Sequence, residues 1–545
     1  MIMYRHIFNM KETLTVRTEN VLLENTKSTE FSMSSIMNSF AIYWVVPVLL
    51  FVLWWYASNY ELMPSQILPT PQMTWNTFLE LSNIDLWSQL GISLERFFFG
   101  LILGVLGGLF LGILLGYSKA FEQYFSATFY ALVIIPTLAW LPILMVWLGI
   151  ENTLKIFIIF KATLIPIAIH TQAGVRDIQP KLKEMALILG FNKKDLTFKL
   201  LLPATLPYFF TGLRLAMAAG WTTLIAVELL ASSEGIGYLM VTGRQLFQLD
   251  IVFVTIIIIG LVGILLDTIL SWAEKKLVFW PHTALSAHTS SQKHSTNKFK
   301  PWLIPIILIL FWWLSSQLNW VSEIVLPSPL SVWQALSAGI ADQSLTTSIY
   351  HSLYRALLGL FIGGSIGVIT GILLGMFRTV GRLFAPTLNT LRLIAIFAWI
   401  PLITAWFGLE DLSKVVFISI ATFFPMFIAT WKGMSGVPEQ LSEASAILRF
   451  NTLQRLEYLI FPSIAPSVFA GFRLALLYSW MASFGAEYLM GSGIGIGSYM
   501  MSAQQNFEMD RVIAATVLVA ILGAVFAWVG TAIENYATAW RRNEG

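Results

Sequence analysis

Long apolar runs separated by short charged segments dominate the chain, and they fall into two matching sets. In the first half they lie near 40–58, 94–117, 124–148, 153–172, 208–230 and 251–273. In the second they lie near 302–319, 353–376, 383–407, 413–431, 467–490 and 511–535. A helix needs about 20 mostly apolar residues to cross the hydrocarbon core of a bilayer. The runs are continuous rather than alternating, which argues for helices and against a barrel of strands. The pattern predicts an all-α polytopic membrane protein with about 12 transmembrane helices in two six-helix halves.

The strongest internal match is a charged, partly amphipathic segment set between the fourth and fifth run of each half. It reads EMALILGFNKKDLTFKLLLP from Glu184 to Pro203 and EASAILRFNTLQRLEYLIFP from Glu443 to Pro462, with every matched position 259 residues apart. A repeat of that length is two domains. Because each half has an even number of spans, both enter the membrane in the same sense and are related by an axis along its normal. The expected division is an extension at 1–38, a first domain at 39–277, a linker at 278–300 and a second domain at 301–541.

Composition agrees: 57% of the residues are hydrophobic and only 12% charged, whereas soluble chains carry about 25% charged residues. The formal net charge is only +3. Its lysines and arginines are concentrated in a few segments, so they report topology rather than a nucleic-acid partner. There is no cysteine, and the six histidines are scattered, so neither disulfides nor a metal site are expected.

The basic residues orient the chain. Arg176, Lys181, Lys183, Lys193, Lys194 and Lys199 surround the first repeated segment, while 59–93 and 320–353 contain no Lys or Arg. By the positive-inside rule the repeated segments are cytoplasmic and those two loops are outside. Both termini and the linker, with Lys275, Lys276, Lys293, Lys298 and Lys300, then face the cytoplasm. The polar start of the chain lacks the apolar core and cleavage site of a secretory signal and reads as a cytoplasmic extension. The linker, rich in Ser, Thr, His and Lys, reads as a tether.

Three smaller patterns recur in both halves. Gly100, Gly104, Gly108, Gly112 and Gly116, and Gly359, Gly363, Gly367, Gly371 and Gly375, form ridges along which another backbone can approach closely. The stretches 68–71 (LPTP) and 326–329 (LPSP) read as turns outside the first spans. Trp140, Trp147, Trp399 and Trp406 lie in the third spans, where they pack or anchor the helix near an interface.

The repeated segment has a design of its own: a carboxylate, small residues, a bend, an amphipathic helix, then a proline before the next span. Such a helix can sit in the groove of a soluble partner. Glu184, Ala186, Gly190, Leu202 and Pro203 define copy one, and Glu443, Ser445, Arg449 and Pro462 define copy two. Gly190 tolerates the positive φ of a sharp bend; Arg449 in its place predicts an altered bend, and together with Ser445 for Ala186 and Phe461 for Leu202 it predicts weaker or altered docking by the second copy.

The fifth spans carry Glu228 and Glu487, with Thr222, Thr223, Ser479 and Ser483 nearby. At 1.5 Å per residue, Glu228 lies about 21 Å along the helix from Arg214, which places each carboxylate toward the outer side of the bilayer. An intramembrane carboxylate is costly. It is either a structural group bonded to backbone or polar neighbours, or part of a translocation path. The hydroxyls could likewise serve an anion between the halves or bond helix to helix.

The motif Glu184-x-Ala186-x3-Gly190-x9-Leu200-x-Leu202-Pro203 resembles the EAA loop of ATP-binding-cassette importer permeases. The stretches 135–142 (IPTLAWLP), 398–402 (AWIPL) and 406–408 (WFG), with Gly212-Leu213-Arg214 and Gly471-Phe472-Arg473, resemble the nitrate/sulfonate/taurine/bicarbonate branch. The likeness covers about 40–277 and 302–540, so the chain resembles two such permeases fused into one.

The resemblance implies a type I importer permease fold in a bacterial inner membrane, with each repeated segment a coupling helix seated on a cytoplasmic nucleotide-binding subunit. ATP and Mg would then be bound by those two partners and no cofactor by this chain. An extracytoplasmic solute-binding protein would deliver a small solute such as a sulfonate, nitrate or bicarbonate, and the fused halves would replace a permease dimer. The chain has no G-x-x-x-x-G-K-[ST] loop for cradling phosphates, so ATP hydrolysis is expected on another polypeptide and this chain is not expected to be an enzyme. The alternative is an ion-gradient-driven secondary transporter with two parallel six-helix repeats.

Overall fold

The computed structural model describes residues 33–178, 184–186, 188–278 and 300–542. Most of the expected extension and linker, together with Lys181 and Lys183, lie outside the described residues. Among the described residues the structure is helical and contains no strand. Eight helices are long and apolar enough to cross a membrane, and the number reaches ten if each of two bent pairs counts as one span.

The first half begins with α1 (Met33–Asn59), α2 (Pro71–Ile84) and α3 (Leu86–Tyr117). The proline-rich turn ahead of α2 has a mechanism: Thr70 caps the helix by accepting from Met73 N, and Pro71 stands where a missing N–H costs nothing. Next come α4 (Lys119–Ile134), a 3₁₀ turn (Thr137–Trp140) and α5 (Leu141–Leu148). The half continues with α6 (Asn152–Arg176), α7 (Leu202–Ala231), α8 (Ile236–Gln245) and α9 (Leu249–Leu277). The second half repeats the series as α10 (Leu303–Gln317), α11 (Pro329–Ala341), α12 (Ser344–Met376), α13 (Arg378–Leu391), α14 (Ile400–Phe407), α15 (Asp411–Ser435), α16 (Glu439–Ile447), α17 (Phe461–Met490), α18 (Ile496–Gln505) and α19 (Met509–Ala537).

The third spans differ from the sequence expectation. They are not straight: α4 and the helix after it are bent by 94°, and α13 and its successor by 91°. In the first half the break falls at Ile135-Pro136, where proline denies its predecessor the helical region. In the second half Ala395 occupies that place and Ile396–Trp399 still form the 3₁₀ turn. Packing therefore imposes the bend there, without proline.

The glycine ridges bring α3 onto α6 and α12 onto α15. A Cβ added at Gly100 would stand 2.6 Å from Ile159 Cγ2, and one at Gly112 2.6 Å from Thr171 Cβ. The bare ridge also leaves backbone open to donors: Thr163 and Thr422 donate to the carbonyls of Gly100 and Gly359. These contacts hold α3 against α6 and α12 against α15.

The halves interlock through the broken spans. Leu138 and Ala139 share one core with Trp480 and Phe484 of the second half, and Ala398 and Leu402 share another with Leu224 and Val252 of the first. Trp147 Nε1 donates to Val325 O at 3.0 Å, and Trp406 Nε1 donates to Ile67 O at 3.0 Å. The first helices also cross over. Lys300, just ahead of α10, donates to Gln123 of α4, and α1 packs on α13.

Candidate functional site

The two repeated segments project from the same end of the bundle as the C-terminal ends of α6 and α15. In copy one Phe191 N donates to Ala186 O, and in copy two Phe450 N donates to Ser445 O, the long-range bond that closes a Schellman-type helix end. That closure needs a left-handed residue. Gly190 supplies it with φ 72° and Arg449 supplies it with φ 52°. The expected change of bend is therefore corrected: the second copy keeps the bend of the first and carries the strain of a Cβ in that region, about 1–2 kcal/mol.

Arg449→Gly is accordingly expected to raise the melting midpoint of the purified chain slightly. The gain is about 0.5–1 kcal/mol, less than the relieved strain because glycine also loosens the unfolded chain. A fall in the midpoint would contradict the assignment of strain.

Beyond the bend both segments are built alike. Asn192 Oδ1 accepts from Asp195 N, and Asn451 forms a full capping box with Gln454. Each cap is followed by a six-residue π-helix, at Leu196–Leu201 and Arg455–Ile460. Ala186 and Ser445 are buried beneath the turn, which explains the small residue there. Glu184, Leu202, Pro203, Glu443 and Pro462 are exposed. The tips carry bare apolar side chains: Ile188 is 84% exposed, Leu189 69%, Ile447 81% and Leu448 65%. Charged sequence surrounds these residues on both sides.

At the other end of the bundle, Glu228 and Glu487 are fully buried inside their own halves. Arg96 Nη1 meets Glu228 Oε1 at 3.0 Å and Arg355 Nη1 meets Glu487 Oε1 at 2.9 Å. The remaining carboxylate lone pairs accept from Ser93 and Gly237 N in one half and from Ser352 and Gly497 N in the other. Sequence reading missed Arg96 and Arg355, which lie 132 residues from their partners. An arginine inside an apolar run, at the outer depth of the carboxylate, was the available signal.

The two networks balance charge differently. Arg96 also reaches Asn152 and the Glu234 carboxylate, whereas Arg355 pairs with Asp411 at the place of Asn152 and meets Ile494 O at the place of Glu234. One acid has moved from one side of the guanidinium to the other. Lys155 and Lys414 are buried close by, and Lys414 Nζ donates to Ser492 O.

The hydroxyl candidates are placed unevenly. Ser479 donates to Leu476 O and Ser483 to Ser352 O, both sealed within the second half. Thr223 is buried and Thr222 half-buried in the first. Trp221 and Trp480 pin these central helices to α9 and α19 through bonds to Ile259 O and Val519 O.

Between the ends, Lys161 stands without an ion-pair partner among the described residues. Lys161 sits on α6 about 14 Å along the axis from Asn152 and about 22 Å from Arg176, well inside the apolar slab. Its Nζ lies 5.5 Å from the centre of the Trp140 ring. Both Lys161 Nζ and Trp140 Nε1 are buried without a hydrogen-bond partner. A cation–π contact returns about 2 kcal/mol when desolvated, whereas burying an unpaired ion costs several kcal/mol even after relaxation. The ring alone does not balance this charge.

Comparison with known proteins gives one family, found twice. The family model for the binding-protein-dependent transport system inner membrane component matches residues 104–279 and again 363–536. A putative aliphatic sulfonates transport permease protein of Bacillus subtilis is 35% identical over 237 residues, 43% of this chain and 86% of the relative. The taurine transport system permease protein of Escherichia coli is 30% identical over 237 residues, 42% of this chain and 86% of its own length. The nitrate import permease protein of Leptolyngbya laminosa is 33% identical over 193 residues, 35% of this chain and 69% of its own length. Each relative is thus largely accommodated in less than half of this chain.

Proposed function

The chain belongs to the binding-protein-dependent transport system inner membrane component family, a multi-pass membrane component of transport systems, and on that premise we propose that it is the complete permease of an ATP-driven importer. The two halves, 39–277 and 301–541, take the place of a permease dimer, with 1–38 and 278–300 as cytoplasmic extension and tether. Each repeated segment seats its tip in a cytoplasmic nucleotide-binding subunit, which carries ATP and Mg. An extracytoplasmic solute-binding protein delivers the substrate to the opposite face. Both termini lie in the cytoplasm, on the side where the basic residues gather.

The observation that carries this reading is the pair of exposed apolar tips. Ile188 and Leu189, and Ile447 and Leu448, stand at the C-terminal ends of short helices outside the core, just ahead of the bend and at matching places in both halves. Among the described residues nothing covers them, and an apolar patch rimmed by charge is a surface for a partner. The similar sulfonate, taurine and nitrate permeases support a small anion as the cargo.

Affinity purification of the full chain from its native membrane tests the assignment. An ATP-hydrolysing subunit is expected to co-purify, and uptake is expected to stop on ATP depletion but to survive collapse of the ion gradients. Uptake that follows an ion gradient, with no ATPase recovered, would favour the secondary transporter.

A further inference from the structure

We propose that Lys161 and Trp140 form an oxyanion subsite inside the transport route, where a small sulfonate, nitrate or bicarbonate accepts hydrogen bonds from Lys161 Nζ and Trp140 Nε1. The inference rests on the importer reading above and names the group in the membrane that recognises the cargo.

Three observations converge on it. First, two donors stand side by side, both buried and both without partners, and one of them is a full charge. No carboxylate forms an ion pair with Lys161 among the described residues, whereas buried Arg96 and Arg355 have theirs. An unpaired cation at this depth marks a functional site by default. An anion with two or three oxygens is the chemistry that satisfies an ammonium and an indole N–H together.

Second, the place is a seam rather than a closed core. Trp140 ends the 3₁₀ turn of a span bent by 94°, and it packs on the core that Leu138 and Ala139 share with Trp480 and Phe484 of the other half. Relative movement of the halves changes the surroundings of that turn. Third, the cation occurs once. The second half has Trp399 at the place of Trp140 but Ile420 at the place of Lys161. A residue needed only to hold a helix pair together would be expected in both halves, as the carboxylate networks are. One charge on a two-fold path suits one monovalent cargo.

The mechanism is a handover. In the arrangement described here the ring lies against the ammonium. When the halves separate, the cargo enters against the ring edge and binds both donors, and the return movement expels it as the ring covers the cation again. No covalent step is involved.

The test uses the full chain with its partner subunits, with uptake of nitrate and of ethanesulfonate followed in wild type, Lys161→Met, Lys161→Arg and Trp140→Phe. Lys161→Met is expected to lower uptake of the transported anion about tenfold or more, the scale of one lost charge-assisted hydrogen bond. The melting midpoint should not fall, because the substitution removes an unpaired buried charge and keeps the length of the side chain. Lys161→Arg should restore part of the uptake, and Trp140→Phe, which keeps the ring and loses the N–H, should fall between.

Wild-type anion uptake with Lys161→Met within twofold of it would overturn the subsite and leave the importer reading standing. A lowered midpoint with loss of the protein from the membrane would show Lys161 to be structural, and this too overturns the subsite. A wild type that carries a neutral solute and none of the anions would remove the anion reading and the subsite together.

Discussion

Replacing Arg355 with methionine is expected to cost about 3–5 kcal/mol, because it strands a buried carboxylate rather than merely deleting a contact. Glu487 is fully buried and Arg355 is 1% exposed. Without the guanidinium, Glu487 keeps only Ser352 and Gly497 N as donors, too little to hold a charge at that depth. The measurement is thermal unfolding of the solubilised chain. Arg355→Met should lower the midpoint sharply, and adding Glu487→Gln should recover a large part, since the double variant no longer buries an unpaired ion. A single variant as stable as wild type, or a double variant worse than the single, would contradict the charge argument.

The relocated acid gives that argument a second arm. Asp411 is half exposed, so Asp411→Asn alone should cost only about 1 kcal/mol, within the range of partly solvated pairs. Adding Ile494→Glu would rebuild in the second half the arrangement that Arg96, Asn152 and Glu234 form in the first, and should return the loss.

This network shows where sequence reading stops. The apolar runs announced the helices because burial in lipid demands continuous hydrophobicity, and the constant spacing of the repeated segments announced two domains. Glu228 and Glu487 were visible as costly charges, yet their partners are set by tertiary contact across 132 residues, which no local pattern encodes. The bends of the third spans were half visible. Pro136 marks one, while Ala395 leaves the other unmarked because packing against the opposite half imposes it. Arg449 misled for a related reason: propensity argued against a left-handed arginine, and the helix-closing bond from Phe450 N to Ser445 O prevailed. Lys161 was hidden among apolar neighbours and became conspicuous only when the structure left its Nζ without a partner.

The largest functional effect is expected at the tips. On the proposed reading, Ile188→Glu with Leu189→Glu in copy one, and Ile447→Glu with Leu448→Glu in copy two, place charges where each segment enters its ATPase groove. Loss of a central apolar anchor at an interface costs about 2–4 kcal/mol, and a desolvated unpaired charge adds to it. Altering either copy should therefore cut ATP-driven uptake by about 100-fold. The four side chains contribute nothing to the core, at 65–84% exposure, so the melting midpoint should stay at the wild-type value. Sequence alone argued that the second copy docks more weakly or in an altered way. Its bend, its cap and its bare tip instead match the first, so equal losses from the two copies are expected. A large loss from copy one beside a small one from copy two would show that matching geometry does not make the segments equivalent, and the difference would then lie in residues facing the partner, with Arg449 foremost.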